Sequence, residues 1–167
     1  SAPGDRYTPE VFADAIDDET VEVAISHVDY RTGYRIDVEG LRRVTGDALV
    51  IVDAVQSLGA LQSPMAHADV LVAGGQKWLR SGIGVAVMAM SDRALDRVDP
   101  PLSGWLGVDD PFGLDEPHPH PILSSPDRYL MGSPPINASA GLRGSLESLR
   151  KADPADVEAA VLDRAMA

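Results

Sequence analysis

The sequence predicts an α/β fold built on a mostly parallel sheet. Two stretches, Leu49 to Val52 and Val70 to Ala73, are apolar without polar alternation, which is typical of strands buried on both faces. A third strand is predicted over residues 21–28, and a helical pattern with inward Val38, Leu41 and Val44 lies between it and Leu49. Because neighbouring parallel strands need a crossover connection, this repetition of strand, helix and strand favours a parallel sheet.

Caps and turn residues mark the ends of the other elements. In chain order, the predicted elements are a helix from Thr8 to about Ile16, the strand over 21–28, a helix from Asp37 to Gly46, the two buried strands, a strand over 84–90, a helix from Ser91 to Val98, a helix over 137–151 and a last helix from Asp153. The helix over 137–151 is expected to turn Ala140, Leu142, Leu146 and Leu149 inward.

Between these elements, residues 99–127 contain seven prolines and no periodicity, which indicates a long loop. Trp105 and Phe112 suggest an ordered covering, such as an active-site or dimer-interface flap, and a solvent-exposed linker is the alternative. His118 and His120 have no nearby third ligand, so a plain loop is favoured over a metal site.

Polar residues follow both buried strands. Asp53 ends the first, Gln56 comes three residues later, and Gln76 and Lys77 follow the second strand after two glycines. Because open α/β sheets bind ligands at the carboxyl ends of their strands, we expect a carboxylate and an amine to face one crevice. A desolvated amine can form a Schiff base and a buried carboxylate keeps a pyridine nitrogen protonated, which is what pyridoxal phosphate needs. The alternative is an ordinary strand-end acid and a surface lysine.

Four segments resemble, in order and with near-family spacing, motifs of the class V aminotransferase family. They are Ile25 to Gly33, Val52 to Gly59, Ala68 to Val70 and Gln76 to Gly84. That family has the fold-type I architecture of pyridoxal phosphate enzymes and includes cysteine desulfurases, kynureninases, isopenicillin-epimerase-like enzymes and transaminases. The resemblance covers roughly residues 20 to 150.

The resemblance implies pyridoxal 5'-phosphate as the cofactor and a role for each matched residue. Lys77 would form the Schiff base, Asp53 would pair with the pyridinium nitrogen, and Gln56 would lie near the phenolic oxygen. Ser133 stands in a segment similar to a Gly-Thr motif that reaches the phosphate of the neighbouring subunit's cofactor. A homodimer with active sites at its interface is therefore expected.

Other positions depart from the family pattern or point to the substrate. Gly74 stands where relatives commonly have a phosphate-donating Ser or Thr, and Gln76, expected to bind the cofactor, stands where many have a proton-transferring His. His27 and Tyr30 are expected on the substrate side. The segment around Tyr30 resembles kynureninases, whereas that around Asp53 resembles desulfurases and transaminases. Transamination, β-elimination or desulfuration, and kynureninase-type cleavage therefore all remain open.

The resemblance also divides the chain. Residues 1–98 would be the C-terminal half of the cofactor-binding large domain, a three-layer sandwich with a mostly parallel sheet. Residues 99–132 would be the Pro-rich loop, and residues 133–167 would be helices leading toward the small domain. Since family members are much longer, we expect this chain to be part of a longer enzyme and to be a poor catalyst by itself.

Composition excludes several classes of function. The formal net charge of −12 argues against binding to nucleic acid or to an anionic membrane. The absence of cysteine excludes disulfides and thiolate metal sites, and there is no apolar run of about 18 residues. We therefore expect a cytoplasmic protein without a metal, and the resemblance implies an enzyme with an amino-acid substrate.

Two other hypotheses remain. In the first, the chain is a nucleotide-binding doubly wound domain; this is disfavoured because Gly82-Ile83-Gly84 precedes a strand rather than joining a strand to a helix. In the second, the chain is a catalytically inactive subunit that keeps the fold, and Asp53 and Lys77 are remnants of a lost site.

Overall fold

A computed structural model describes residues 6–115 and 117–166, and a four-stranded sheet lies at its centre. The strands stand side by side in chain order: β1 (Glu22–Ser26), β2 (Leu49–Asp53), β3 (Val70–Gly74) and β4 (Ala86–Met90). Strands β1, β2 and β3 are parallel, and β4 runs antiparallel to β3. The α/β class and the mostly parallel sheet are thus confirmed.

Five α-helices and two short 3-10 turns complete the described chain. They are α1 (Pro9–Ala13), α2 (Val38–Val44), α3 (Asp92–Arg97), α4 (Ile136–Leu149) and α5 (Pro154–Met166), with 3-10 turns at Met65–His67 and Pro126–Tyr129. Two predicted caps are present, because the Asp37 carboxylate accepts from the backbone of Gly40 and the Ser91 hydroxyl accepts from that of Ala94.

Helix α1 is shorter than predicted. It ends at Ala13, and the chain continues to Ile16 in turns rather than in helix. Three acids follow at Asp14, Asp17 and Asp18, and negative charge at a helix carboxyl end opposes the helix dipole. The prediction of a helix reaching Ile16 was therefore wrong by about one turn.

The main core lies on the face of the sheet that α2 covers. Val50 and Val52 of β2 are fully buried, and Val23 of β1 and Leu71 of β3 are their register partners. Leu41 of α2 is fully buried in the same cluster. Burial of one such side chain stabilises the fold by about 1.5–3 kcal/mol, so this face supplies most of the hydrophobic stabilisation.

The opposite face is closed at one end and partly open at the other. Leu49 and Val70, near the amino ends of their strands, are buried together with Ala94 of α3 and lie outside the main cluster. This burial indicates that α3 forms a third layer there. Toward the carboxyl ends, Ile51 and Asp53 on the same face are only half-buried by the described residues.

Asp69 joins the amino ends of the strands. Its buried carboxylate accepts from the backbone N–H of Val50 and from the guanidinium groups of Arg42 and Arg93, each at 2.8 Å. The Ser91 hydroxyl donates to the other carboxylate oxygen at 3.3 Å. Burial alone would raise the pKa of Asp69, but the Val50 and Arg93 hydrogen bonds outweigh it and lower that pKa.

The Pro-rich segment is folded on itself without regular structure. Trp105 and Phe112 pack edge to face with ring centroids 5.5 Å apart, although both stay exposed. Arg128 is buried and donates to the carbonyl groups of Leu95 and Val98 at the end of α3. This arrangement covers the end of α3, and whether the segment is also a flap stays a prediction.

Helix α4 turns a narrower face inward than predicted. Leu142 and Leu149 pack against the main core, as expected. Leu146 is 37% exposed and Ala140 is exposed, so the prediction for Ala140 was wrong. Ala140 is small enough to lie on the solvent side at little cost.

Candidate functional site

Asp53 places a carboxylate at the carboxyl edge of the sheet. Its Oδ1 accepts from the backbone N–H of Val55 at 2.8 Å, which turns the chain directly after β2. Its Oδ2 has no hydrogen bond to any described residue. Because the side chain is half-buried on the partly open face, this second oxygen is available to a donor from outside.

Lys77 lies in the loop that follows the neighbouring strand, β3. The backbone N–H of Ser81 bonds back to the carbonyl of Gly75 at 2.8 Å, and that of Arg80 bonds to the carbonyl of Lys77 at 3.0 Å. The loop is tight enough that Arg80 has φ of 55°. The Lys77 side chain is exposed, and its amine pairs with no group in the described part of the chain.

Two glycines make room for this loop. A Cβ on Gly75 would collide with the Ser81 hydroxyl and would lie 2.9 Å from Cγ1 of Val85. A Cβ on Gly74 would collide with the side-chain amide of Gln76, whose Nε2 lies 2.9 Å from that position. The Gln76 amide therefore occupies the space that a side chain at position 74 would fill.

Asp53 ends β2, and the Gln76 amide covers the end of the adjacent strand, β3. Asp53 is in register with Val72 of β3, and Gly74, which the Gln76 amide covers, is two residues further along. Since side chains two residues apart in a strand share a face, Asp53, Gly74 and the covering amide are on one face. The structure thus brings the two predicted strand ends together.

His27 lies in a different environment from the other predicted residues. It is 2% exposed, and its Nδ1 is 2.8 Å from the hydroxyl oxygen of Ser57. Burial, aided by the nearby charge of Arg35, lowers the pKa of His27 to about 4. His27 lines a cavity of about 420 Å³ whose lining also includes Arg35, Gln62 and His67 but none of the other predicted site residues.

The remaining predicted residues are less closely placed. Gln56 is half-buried in the turn after Asp53, whereas Tyr30 is 78% exposed and Ser133 is exposed in the segment before α4. No hydrogen bond joins either Tyr30 or Ser133 to Asp53 or Lys77 in the described chain. Their predicted roles stay predictions.

Sequence reasoning missed Ser57 and the contacts of Glu158. Ser57 is 1% exposed and is the partner of the His27 ring. Glu158 of α5 accepts from Arg35 at 2.5 Å and from the backbone of Gln62 at 2.8 Å. Only the position of Ser57 within the segment after Asp53 could have signalled its importance; nothing local marks Glu158.

The described residues contain no group of three His, Cys, Asp or Glu placed to hold a metal ion. His120 is instead 3.1 Å from the carbonyl oxygen of Gly113. No helix in residues 6–115 and 117–166 has the length and apolar character needed to cross a membrane.

Comparison with known proteins identifies relatives over nearly the whole chain. The family model described as Aminotransferase class-V matches residues 2–164. A kynureninase from Pseudomonas fluorescens is 34% identical over 155 residues, which are 90% of this chain and 37% of that protein. A kynureninase from Deinococcus radiodurans is 32% identical over 156 residues, 88% of this chain and 35% of that protein.

Solved structures agree on the fold. A cysteine desulfurase from Thermococcus onnurineus superposes with a TM-score of 0.66 at 29% identity, over 78% of this chain and 33% of that one. A cysteine desulfurase from Escherichia coli gives a TM-score of 0.73 over 90% of this chain and 37% of that one, at 20% identity, and so bears on the fold alone. This chain therefore spans 33–37% of the length of these relatives.

The family match covers most of the chain, and the matched residues include the strand ends that carry Asp53 and Lys77. Pyridoxal phosphate is the cofactor of this family. The chain belongs to the class-V aminotransferase family.

Proposed function

We propose that this protein is a pyridoxal-phosphate-dependent enzyme that acts on an amino-acid substrate through Schiff-base chemistry. One observation carries the proposal: Lys77 and Asp53 follow adjacent parallel strands at one edge of the sheet. In the described chain the Lys77 amine is unpaired, and only one of the two Asp53 carboxylate oxygens has a hydrogen bond. Open α/β sheets bind ligands at that edge.

The residues present fit the cofactor. Asp53 would keep the ring nitrogen of the cofactor protonated. Its Oδ2 is free to accept a hydrogen bond from that nitrogen, while its Oδ1 accepts from the Val55 N–H. Lys77 would hold the cofactor and then move a proton at the substrate Cα. When bound, the cofactor supplies an electron sink for the substrate carbanion.

Polar groups around these two residues would orient the cofactor. Gln56, in the turn after Asp53, would donate to the phenolic oxygen. The Gln76 amide lies over Gly74. Because Gly74 has no hydroxyl group to donate to the cofactor, this amide would donate in its place. Ser133 would reach the cofactor of a second subunit, which makes the working unit a homodimer, and Tyr30 would contact the substrate.

Within this chemistry, a lyase reaction of the kynureninase type is the first to be tested. The relatives at 34% and 32% identity are both kynureninases. Transamination and desulfuration are the other arms, because the solved relatives include a pyridoxamine-pyruvate aminotransferase and cysteine desulfurases. Product analysis with kynurenine, cysteine and an alanine and 2-oxo acid pair distinguishes the three.

The deciding experiment is cofactor binding by the full-length gene product. We expect pyridoxal phosphate to give the visible absorbance band of a Schiff base and borohydride to fix the cofactor covalently to Lys77. Lys77→Ala should lose both signals. Lys151→Ala is the matched control, since Lys151 is the only other lysine in the sequence, and it should keep both.

Two results would contradict the proposal. A full-length protein without the band would favour one of the two other hypotheses, an inactive subunit or a nucleotide-binding domain. A nucleotide-binding assay would distinguish these two. A band that survives in Lys77→Ala would place the Schiff base elsewhere. Asp53→Asn should retain the band but shift its pH dependence, because an amide no longer stabilises the protonated ring nitrogen.

A further inference from the structure

We infer that His27 is a positioning residue that holds the segment from Asp53 to Ser57, and thereby the carboxylate and the Gln56 amide that the proposed site uses. The consequence for cofactor binding rests on the proposed function. The contact between His27 and Ser57 does not depend on it.

Two hydrogen bonds join His27 to this segment. Its backbone N–H donates to the carbonyl of Asp53 at 2.9 Å, which extends the pairing of β1 and β2 by one residue. Its ring Nδ1 is 2.8 Å from Oγ of Ser57. The two contacts hold both ends of a five-residue segment, with Asp53 at the start and Ser57 at the end.

The start of the segment is also attached to β3, because the backbone N–H of Ala54 donates to the carbonyl of Val72 at 2.8 Å, whereas the residues after Ala54 are held by local bonds. The backbone N–H and the hydroxyl of Ser57 both reach the carbonyl of Ala54, at 3.0 and 3.3 Å, and the Val55 N–H reaches the Asp53 carboxylate. These local contacts shape the turn but do not attach Ser57, at its far end, to the sheet. The ring of His27, the residue that follows β1, supplies that attachment.

The Ser57 hydroxyl lies 2.8 Å from Nδ1 of His27 and 3.3 Å from the carbonyl oxygen of Ala54. A hydroxyl both donates and accepts, so the bond to the ring forms with either neutral tautomer of His27. The low pKa of His27, near 4, keeps the ring neutral at physiological pH, so the bond requires no buried charge.

The burial of the ring favours this role over direct contact with substrate. His27 is 2% exposed, and the cavity beside α2 that it lines does not include Asp53, Gln56 or Lys77. A buried histidine at this position would affect the site indirectly, through the backbone segment that it holds in place. His27 is thus expected to set where the carboxylate stands rather than to react.

Four variants of the full-length protein test the inference. His27→Leu and Ser57→Ala each remove the bond, whereas His27→Asn offers an amide N–H near the place of Nδ1. Val23→Ala, in β1 and the main core and in register with Val50 rather than with the turn, lowers stability without touching the bond.

The first measurement needs no cofactor. In His27→Leu and Ser57→Ala, amide hydrogen exchange at Val55 to Ser57 should quicken about tenfold, the factor expected when a buried hydrogen bond is lost. His27→Asn should restore slow exchange in part, and Val23→Ala should leave the turn unchanged relative to the rest of the sheet. Nitrogen NMR shifts should report a neutral ring and identify which ring nitrogen carries the proton.

The second measurement is cofactor affinity and the pH dependence of the absorbance band. His27→Leu and Ser57→Ala should each weaken pyridoxal phosphate binding about tenfold and shift the titration of the band, and the double variant should be no worse than either. His27→Asn should lie near wild type.

Unchanged exchange at the turn, or unchanged affinity and titration in both Ser57→Ala and His27→Leu, would overturn the inference. So would an equal loss of affinity in Val23→Ala, since that result would reflect general destabilisation. A wild-type protein that binds no cofactor would refute the proposed function, and the exchange measurement would still decide whether His27 holds the turn. Should His27→Leu fail to fold, Ser57→Ala supplies both measurements.

Discussion

Removal of the Asp69 carboxylate should destabilise the protein strongly. The side chain is 8% exposed and holds the Val50 N–H and the guanidinium groups of Arg42 and Arg93. Asp69→Ala leaves the buried Val50 donor unpaired, which costs about 1–3 kcal/mol. Loss of the two ion pairs adds less than a fully buried pair would, because Arg42 and Arg93 are 24% and 33% exposed and can turn toward water.

We therefore expect Asp69→Ala to lower the free energy of unfolding by about 3 kcal/mol. Asp69→Asn keeps an acceptor for Val50 and should lose about half as much. Urea titrations followed by circular dichroism measure both losses. The comparison requires that the free energy of unfolding falls with urea concentration at the same slope in each variant. Asp47→Ala is the matched control: Asp47 also pairs with Arg93, but its side chain is 91% exposed, so stability should hardly change.

The lowered pKa of Asp69 adds a pH dependence with a defined sign. A carboxyl whose pKa is lower in the folded than in the unfolded state stabilises the fold above its ordinary pKa, and this contribution is lost as the pH falls through the folded value. A loss below about 1 kcal/mol in Asp69→Ala, or equal losses in Asp69→Ala and Asp47→Ala, would refute the reasoning.

Three further predictions follow from other contacts. Gly75→Ala should lower the free energy of unfolding by about 1–3 kcal/mol through overpacking. Gly144→Ala, with open space at the Cβ position in α4, should instead raise the free energy of unfolding by about 0.5–1 kcal/mol. Urea titration measures both changes. Because the pKa of His27 falls to about 4, wild type should lose roughly 3 kcal/mol of stability as the pH falls from about 6.5 to about 4, a loss that His27→Asn should remove. Glu158→Gln should cost about 1–2 kcal/mol by weakening its bonds to Arg35 and the neighbouring backbone, and a melting temperature equal to that of wild type would contradict this.

Local sequence signals predicted the elements that position the site. Residues 49–52 of β2 and 70–73 of β3 are apolar with no polar alternation, a pattern typical of strands that are buried on both faces of a sheet. The end of β2 at Asp53 was therefore readable, and so was the loop that carries Lys77. The Asp37 and Ser91 caps were equally readable, because capping depends on residues within one turn.

Contacts between distant segments were not readable. The His27 ring meets Ser57 thirty residues later, and Glu158 meets Arg35 across 123 residues. A histidine at a strand end looks the same in sequence whether its ring points to a ligand or to a buried hydroxyl. Ala140 was misjudged for a related reason, since its place in α4 fits a helical face but the neighbouring elements decide which residues are covered.

The sequence alone determined an α/β fold in which Asp53 and Lys77 follow two buried strands. It could do so because strand burial, capping and turn formation depend on residues that are neighbours in sequence. Only the tertiary structure decided that the Gln76 amide covers Gly74, that the His27 ring is neutral and bonded to Ser57, and that the carboxyl end of one sheet face is partly open. These features depend on which side chains the folded backbone brings within contact distance, and on the water that burial removes.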